Sequence, residues 1–371
     1  MTAVHVPDLR DFTLPELTEW IGSFGEPPYR ARQIFRWLWK RQIQGMSEMT
    51  DLPRACRESL AARVRLSPLS VVGLQSSRDG TRKLLLRLSD GEEIEAVLIS
   101  EARRLTACIS SEAGCAMGCR FCLTATMGLH RNLRPAEIAG QVLALASTLA
   151  PGEHITHIVL MGMGEPLANF AATEKALQIL TAKAGLGFPP RRITVSTVGV
   201  VPGIRRLARS GLGVNLAVSL TATTDEVRND LIPINERYPL AELLQACREF
   251  PLPPRRRMTF EYVLMAGVND HVADAHRLVR LLKGIRCKVN LIPLNEAPEI
   301  PFTRSSRQRT EAFQKILQRA GTIAPIRESR GEDISAACGM LATADRSLDS
   351  VRAIPYTPEC GVEQFGSSLG S

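Results

Sequence analysis

The chain has 371 residues, of which 44% are hydrophobic and 23% are charged. These proportions are typical of a folded protein, and no apolar stretch approaches the ~20 residues of a membrane helix, so a disordered chain and a membrane-spanning chain are both excluded. Lys and Arg number 46 against 38 Asp and Glu. The resulting net charge of +8 favours anionic partners, of which nucleic acid is the commonest.

The N-terminal residues and the cysteines together indicate a cellular compartment. The first residues contain Asp8 and Asp11 and no apolar run, which is not the pattern of a signal peptide. We therefore expect a cytoplasmic protein in a reducing environment. In such an environment the nine cysteines of this chain are expected to be thiols, metal ligands or catalysts rather than structural disulfides.

Residues 1–80 are predicted to form a small, basic, helical domain. Its clearest helix, residues 30–42, interleaves Phe35, Trp37 and Trp39 with arginines and lysines. Interleaved aromatic and basic residues suit RNA binding, but aromatic residues at this spacing also form the core of a small domain. The sequence supports the two interpretations equally.

Residues 81–102 are predicted to form a β-hairpin extension. Two apolar runs, residues 83–88 and 94–99, flank Asp90 and Gly91. An Asp-Gly pair between such runs is a good signal for a hairpin turn.

Residues 103–344 alternate between strand and helix patterns. The predicted strands are 104–109, 155–161, 192–197, 213–219, 258–265 and 287–293. The predicted helices include 135–149, 171–183, 202–210, 239–250, 271–284 and 306–320. Six such units predict an α/β fold with parallel strands, forming a complete or partial barrel whose functional site lies at the carboxyl ends of the strands. Residues 345–371 are expected to be a flexible tail.

Three cysteines within eight residues are the most informative feature. Cys115, Cys119 and Cys122 follow the first predicted strand of the barrel directly. A zinc site usually has four protein ligands, and no fourth ligand lies nearby in the sequence. Three thiolates instead suit a [4Fe–4S] cluster with one open iron, to which a substrate or cofactor can bind. Zinc binding and a chance grouping are the alternatives.

The C-x3-C-x2-C spacing resembles that of the radical S-adenosylmethionine (SAM) superfamily. This resemblance implies a partial (β/α)6 radical SAM barrel, in which the open iron chelates SAM and the reduced cluster cleaves it to a 5′-deoxyadenosyl radical. Residues 162–166, GMGEP, follow the second barrel strand and resemble the superfamily's glycine-rich segment that holds the SAM amino group.

Longer stretches narrow the resemblance to one family. They are residues 110–115 (SSEAGC), 128–133 (GLHRNL), 194–202 (TVSTVGVVP), 290–295 (NLIPLN) and 330–339 (RGEDISAACG). Together they resemble the RlmN/Cfr family of RNA adenine methyltransferases, and within it the branch that methylates carbon 2 in both 23S rRNA and tRNA. The similarity runs from about residue 14 to about residue 345.

The resemblance implies roles for three further residues. Cys338 matches the cysteine that one SAM methylates. A second SAM then gives the radical that removes hydrogen from this methyl group, so two SAM are used per turnover, and the carbon radical adds to adenine. Cys108 matches the cysteine that forms a transient disulfide with Cys338. Glu95 matches the proton acceptor, although Cys108 is an equal candidate for taking the ring proton.

The resemblance also implies the residues that contact SAM. They are Gly164, Glu165, Ser196, Ser219, Leu220, Thr221 and Asn295. One departure from the family pattern is visible, because the family commonly has Ser-Leu-His where this chain has Ser219-Leu220-Thr221. A contact through the backbone survives this change, whereas a contact through an imidazole does not.

The same resemblance implies the substrates and the electron donor of the protein. It implies adenine 2503 of 23S rRNA as substrate and, for many members, adenine 37 of certain tRNAs, with flavodoxin or ferredoxin as electron donor. We expect a monomer that does not bind membranes. Candidate phosphate-binding residues are Arg131, Arg134, Arg191, Arg192, Arg205, Arg206 and Arg255 to Arg257.

Two alternative functions stay open. One is methylation at carbon 8 of the same rRNA adenine, which confers antibiotic resistance, and the other is that of a non-catalytic metal-bearing RNA-binding protein.

Overall fold

The computed structural model describes residues 6–41, 43, 45–67, 69–102 and 104–342. The tail predicted for residues 345–371 lies outside the described residues. Within the described part of the chain, no helix is both long and apolar enough to cross a membrane.

Three helices form the N-terminal part: α1 (Leu14–Gly22), α2 (Pro28–Trp39) and α3 (Arg54–Ala61). Helix α1 begins with a capping box, in which the Thr13 hydroxyl accepts from the Glu16 N–H and the Glu16 carboxylate accepts from the Thr13 N–H. These reciprocal bonds satisfy backbone donors that the first helical turn leaves without a partner.

The aromatic residues of α2 divide between core and surface. Phe35 and Trp39 are fully buried, and a Cβ atom at Gly185 in the following domain would lie only 2.7 Å from the Phe35 ring. Trp37 is half-buried, and the Arg41 guanidinium lies 4.9 Å from its ring centroid. Phe35 and Trp39 are therefore core residues, and of the three aromatics Trp37 alone presents a surface that RNA can reach.

The described residues contain eleven strands. They are β1 (Ser70–Ser76), β2 (Arg82–Arg87), β3 (Glu93–Glu101), β4 (Arg104–Cys108), β5 (Glu112–Gly114), β6 (Leu129–Asn132), β7 (His157–Leu160), β8 (Ile193–Thr197), β9 (Asn215–Ser219), β10 (Met258–Leu264) and β11 (Cys287–Pro293). Nine of them form one sheet in the order β1-β2-β3-β4-β7-β8-β9-β10-β11, and β5 pairs with β6. In the nine-stranded sheet, neighbouring strands from β1 to β4 are antiparallel. The neighbouring strands β4, β7, β8, β9, β10 and β11 are parallel. The predicted partial six-stranded parallel barrel is confirmed.

The extension has three strands rather than the two predicted. Residues 70–76, which we assigned to the helical domain, form β1 and pair with β2 across a turn that contains Asp79 and Gly80. The sequence pattern is misleading here because β1 is only partly buried and lacks a strict alternation of apolar and polar residues.

Helices cover the outer face of the parallel strands. They are α5 (Pro135–Ala146), α6 (Phe170–Thr181), α7 (Val201–Arg209), α9 (Leu240–Glu249), α10 (Val272–Leu281) and α11 (Arg307–Arg319), with the unpredicted short helices α4 (Leu123–Thr126) and α8 (Asp225–Leu231). Each long helix turns buried apolar side chains towards the sheet, including Ile138, Leu177, Ile204, Leu243, Leu278 and Phe313. The carboxyl ends of the parallel strands remain uncovered by these helices, and loops converge there.

Candidate active site

The three clustered cysteines lie on a loop closed by the small β5–β6 hairpin. Gly114 ends β5 with a φ of +75°, and a Cβ atom there would lie 1.9 Å from the Gly128 carbonyl oxygen. The Cys115 N–H donates to that same oxygen at 2.8 Å. Glycine is therefore required at residue 114, because the two ends of the cysteine loop meet where a side chain would stand.

Cys115, Cys119 and Cys122 line one cleft at the carboxyl ends of the parallel strands. We call it the cluster cleft. Burial raises the pKa of Cys115 to about 12 and that of Cys119 well above its ordinary value. In the described residues, no three His, Cys, Asp or Glu side chains are arranged to bind a single metal ion. An iron–sulfur cluster fits the three thiols better than zinc does, because each thiolate can bind a separate iron atom.

The glycine-rich segment forms the adjacent wall of the cluster cleft. A Cβ atom at Gly164, where φ is +93°, would lie 2.4 Å from the Cβ of Glu112. The Glu112 carboxylate accepts from the Glu165 N–H at 2.9 Å, and the Glu165 carboxylate accepts from the Val198 N–H at 2.8 Å. Burial raises the pKa of both carboxyl groups to about 7. Glu112, which the sequence analysis did not select, thus fixes the segment that carries Gly164 and Glu165.

The structure brings most of the predicted SAM-contacting residues to this cleft. Its lining includes Gly164, Glu165, Ser196, Ser219 and Asn295. Leu220 and Thr221 are fully buried and do not line it. Thr221 has a φ of +55°, and its carbonyl oxygen accepts from the Asn269 side chain, so this segment turns away from the cleft.

Cys338 lies between the cluster cleft and a second space, which we call the inner cavity, and lines both. Its carbonyl oxygen accepts from the Asn295 side chain at 3.0 Å, and the next carbonyl, of Gly339, accepts from the Leu123 N–H at 2.7 Å. These bonds attach the Cys338 loop both to the strand end after β11 and to the helix that follows Cys122.

Cys108, at the end of β4, is buried and lines the inner cavity together with Cys338. Burial, and then the neighbouring Cys338 thiol, raise the pKa of Cys108 far above its ordinary value. Cys108 is therefore a protonated thiol at neutral pH. The structure brings together the two thiols that the family resemblance pairs, although they are far apart in the sequence.

Glu95 does not line either space. Its carboxylate lies 2.8 Å from the Lys83 ammonium, and both side chains are buried. The carboxylate also accepts from the Ala342 N–H at 3.0 Å. Glu95 is thus close to the end of the Cys338 loop rather than at the wall of the cluster cleft.

Glu261 is a site residue that the sequence analysis missed. Among the described residues that line both the cluster cleft and the inner cavity, Glu261 and Cys338 are the two ionisable ones. Burial raises the pKa of Glu261 to about 7, and Asn290 donates to its carboxylate at 2.9 Å. The sequence does contain an indication of this site residue, namely an acidic residue in the middle of a strand that is otherwise apolar and buried.

Substituting Glu261 with glutamine is expected to make Cys338 more reactive. Cys338 is exposed, yet the surrounding protein partly desolvates its sulfur, and this desolvation and, next, the negative charge of Glu261 raise the pKa of Cys338, whereas Arg327 lowers it. Because one pKa unit is a tenfold change in thiolate fraction, we expect Glu261→Gln to increase alkylation of Cys338 by iodoacetamide at pH 8 about three- to tenfold. The difference should shrink below pH 7, where Glu261 is itself protonated. Arg327→Met should have the opposite effect, and slower alkylation of Glu261→Gln than of wild type would contradict the assignment.

Two of the predicted phosphate-binding arginines form close, partly buried pairs with carboxylates, and a third, Arg205, is paired with Glu242 at the surface. Arg131 binds Asp90 and Glu137, and Arg134 binds Asp11 and Glu137. The Arg134 pairs connect the N-terminal helical part to α5. These two arginines therefore hold the domains together, and they are poor candidates for the RNA-binding surface.

The chain matches known proteins along most of its length. Residues 7–66 match the family model described as the ribosomal RNA large subunit methyltransferase N-terminal domain, and residues 109–279 match the radical SAM superfamily. A protein of Syntrophus aciditrophicus named dual-specificity RNA methyltransferase RlmN is 51% identical over 335 residues, which cover 90% of this chain and 96% of that protein. A protein of the same name from Geobacter sulfurreducens is 52% identical over 334 residues, covering 90% and 91%.

A solved structure shows the same fold. The crystal structure of a radical SAM methyltransferase from Sphaerobacter thermophilus superposes with a TM-score of 0.84 and 49% sequence identity, covering 90% of this chain and 99% of that one.

Proposed function

Because this chain belongs to the RlmN family of radical SAM methyltransferases, we propose that it methylates carbon 2 of adenine in RNA. The observation that carries this proposal is the position of Cys338. This thiol lines the cluster cleft on one side and shares the inner cavity with Cys108 on the other. A methyl-carrying cysteine needs both neighbours, one for activation of its methyl group and one for release of the product.

The chemistry of adenine explains why a methyl-carrying cysteine is needed. Carbon 2 is electron-poor and has no nucleophilic lone pair, so direct polar transfer of a methyl group from SAM is unfavourable. Cys338 instead receives the methyl group on its sulfur from one SAM, and a second SAM is used to activate that group, which makes two SAM per turnover. When bound, the cluster and SAM supply the one-electron chemistry of hydrogen abstraction.

The residues of this chain supply binding and geometry. Cys115, Cys119 and Cys122 would hold the [4Fe–4S] cluster, which would supply the electron for cleavage of SAM. Gly164, Glu165, Ser196, Ser219 and Asn295, which line the same cleft, would contact SAM there. Leu220 and Thr221 are buried and do not line this cleft, so we assign them no contact with SAM.

Release of the methylated base needs a second thiol and a proton acceptor. Cys108 forms a disulfide with Cys338 as the sulfur of Cys338 leaves the adenine adduct. Glu95 and Cys108 are the two candidates for taking the ring proton. Cys108 lines the inner cavity together with Cys338, but it is protonated at rest. Glu95 is a carboxylate, but it binds Lys83 and Ala342.

Adenine 2503 of 23S rRNA and adenine 37 of tRNAs are the proposed targets. The target base must leave its stack to reach Cys338, at a cost of a few kcal/mol that is smaller in a single-stranded loop. We further propose that the protein acts as a monomer in the cytoplasm, and that flavodoxin or ferredoxin reduces the cluster. The reactive thiols and the RNA substrates both suit that compartment.

Mass spectrometry of cellular RNA tests the proposed function. In a strain that lacks this protein, 2-methyladenosine should disappear from 23S rRNA and tRNA digests and return when the gene is restored. Detection of 8-methyladenosine alone would instead show that the protein methylates carbon 8. Loss of the rRNA product with unchanged tRNA would restrict the proposal to rRNA.

The cluster ligands give a separate prediction that does not depend on RNA. Anaerobically reconstituted wild type should be brown, with broad absorption near about 400 nm. Cys119→Ala should lose most of the bound iron and this absorption, because the buried Cys119 thiol has no substitute nearby. Cys287→Ala should retain both, since Cys287 lines neither the cleft nor the inner cavity. Colourless wild type with stoichiometric zinc would favour the metal-bearing RNA-binding alternative.

A further inference from the structure

Lys83 and Glu95 form a buried ion pair beside the Cys338 loop. Lys83 lies on β2 and Glu95 on β3, and their charged groups are 2.8 Å apart. Both side chains are more than nine-tenths buried. A second cross-strand pair, Arg87 and Glu93, joins the same two strands at 2.9 Å, but 55% of the Arg87 side chain and 26% of the Glu93 side chain are exposed. The buried pair therefore has a different environment from its neighbour.

The two members of the buried pair bind the two ends of the Cys338 loop. The Lys83 ammonium donates to the Ser335 carbonyl oxygen at 3.4 Å. The Glu95 carboxylate accepts from the Ala342 N–H at 3.0 Å. Cys338 lies between these two points of attachment. The described part of this segment, residues 335–342, contains no helix and no strand, so its conformation depends on such contacts.

The same strands also determine where Cys108 lies. Val97, two residues after Glu95 on β3, pairs with Cys108 of β4. Side chains two apart on a strand share a face of the sheet, so Glu95 and Cys108 are placed by one rigid arrangement of neighbouring strands. A contact from this sheet to the Cys338 loop therefore fixes Cys338 relative to Cys108.

We propose that Lys83 and Glu95 are positioning residues that hold Cys338 next to Cys108. This inference rests on the proposed function, in which the two thiols form a disulfide. An ion pair is suited to the task because one member donates to a carbonyl oxygen and the other accepts from an N–H group, which a pair of apolar side chains cannot do. A buried ion pair adds little to stability because desolvation of the two charges offsets their attraction, and here its hydrogen bonds to the loop fix the arrangement of the catalytic thiols.

The disulfide equilibrium with glutathione measures this positioning directly. The two thiols of Cys108 and Cys338 lose two protons and two electrons to glutathione disulfide, which becomes two glutathione thiols. The full-length reconstituted protein is equilibrated anaerobically with glutathione buffers, quenched with acid and alkylated. The fraction of the Cys108–Cys338 disulfide is then read by peptide mass spectrometry. No RNA and no turnover are involved.

The informative variant is the double substitution Lys83→Met and Glu95→Leu. It replaces both charges with apolar groups of similar size, and so avoids leaving one buried charge without its partner. We expect its disulfide equilibrium constant to fall at least tenfold below that of wild type. Arg87→Met with Glu93→Gln is the matched control on the same strands and should stay within about twofold.

The possible outcomes separate this inference from the proposed function. An unchanged equilibrium in the Lys83→Met and Glu95→Leu variant would overturn the positioning role, and so would an equal decrease in the Arg87 and Glu93 control. If wild type itself forms no disulfide between Cys108 and Cys338 at any glutathione ratio, the pairing of these thiols in the proposed function fails, and the inference fails with it.

Discussion

Cys338→Ala is expected to abolish RNA methylation while the protein retains its iron–sulfur cluster. The substitution removes the sulfur that carries the methyl group, and no other thiol among the described residues lines the cluster cleft apart from the three cluster ligands. The bonds that hold the loop are made by backbone oxygens of Cys338 and Gly339, so they remain in the variant. Loss of activity should therefore be a loss of chemistry rather than of structure.

The measurement combines two readouts on the same preparation. Transfer of labelled methyl groups from SAM to a 23S rRNA fragment should fall to the detection limit, whereas iron content and visible absorption should match wild type. Cys287→Ala, at a half-buried cysteine on β11, is the control and should keep both properties. Turnover by Cys338→Ala at a substantial fraction of the wild-type rate would refute the role of Cys338.

Cys108→Ala is expected to leave the enzyme attached to its RNA. The adduct between Cys338 and adenine needs a second sulfur to accept the Cys338 sulfur as the product leaves. Cys108 lines the inner cavity together with Cys338 and is the thiol that the geometry offers. Without it the covalent adduct should accumulate, and one turnover at most should occur per enzyme.

Denaturing gel electrophoresis detects this adduct as a slower band that ribonuclease treatment converts back to nearly the size of the protein. The double substitution Cys108→Ala and Cys338→Ala should give no such band, because the attachment is through Cys338. If Cys108→Ala turns over many times without an adduct, another group resolves the intermediate and the disulfide is not part of the cycle.

The repeating part of the fold could be predicted from the sequence. Each of the six predicted barrel strands contains one observed parallel strand, because parallel strands buried on both faces have a strong apolar signal and helices separate them at regular intervals. Strand β1 was missed because only part of it is buried. Short helix α8 was missed for a similar reason, since its seven residues are too few to show helical periodicity.

The sequence alone determined the features that depend on neighbours along the chain. The spacing of Cys115, Cys119 and Cys122 predicts a cluster-binding loop, and the resemblance to the family predicts the roles of Cys108 and Cys338. Tertiary structure decided the features that depend on strand order and side-chain direction. Cys338 and Glu261 both line the cluster cleft and the inner cavity. Arg131 and Arg134 are paired with carboxylates, and Glu95 is paired with Lys83 and lines neither space. Those contacts join residues far apart in the chain, and they are set by the packing of the whole sheet, which no local pattern encodes.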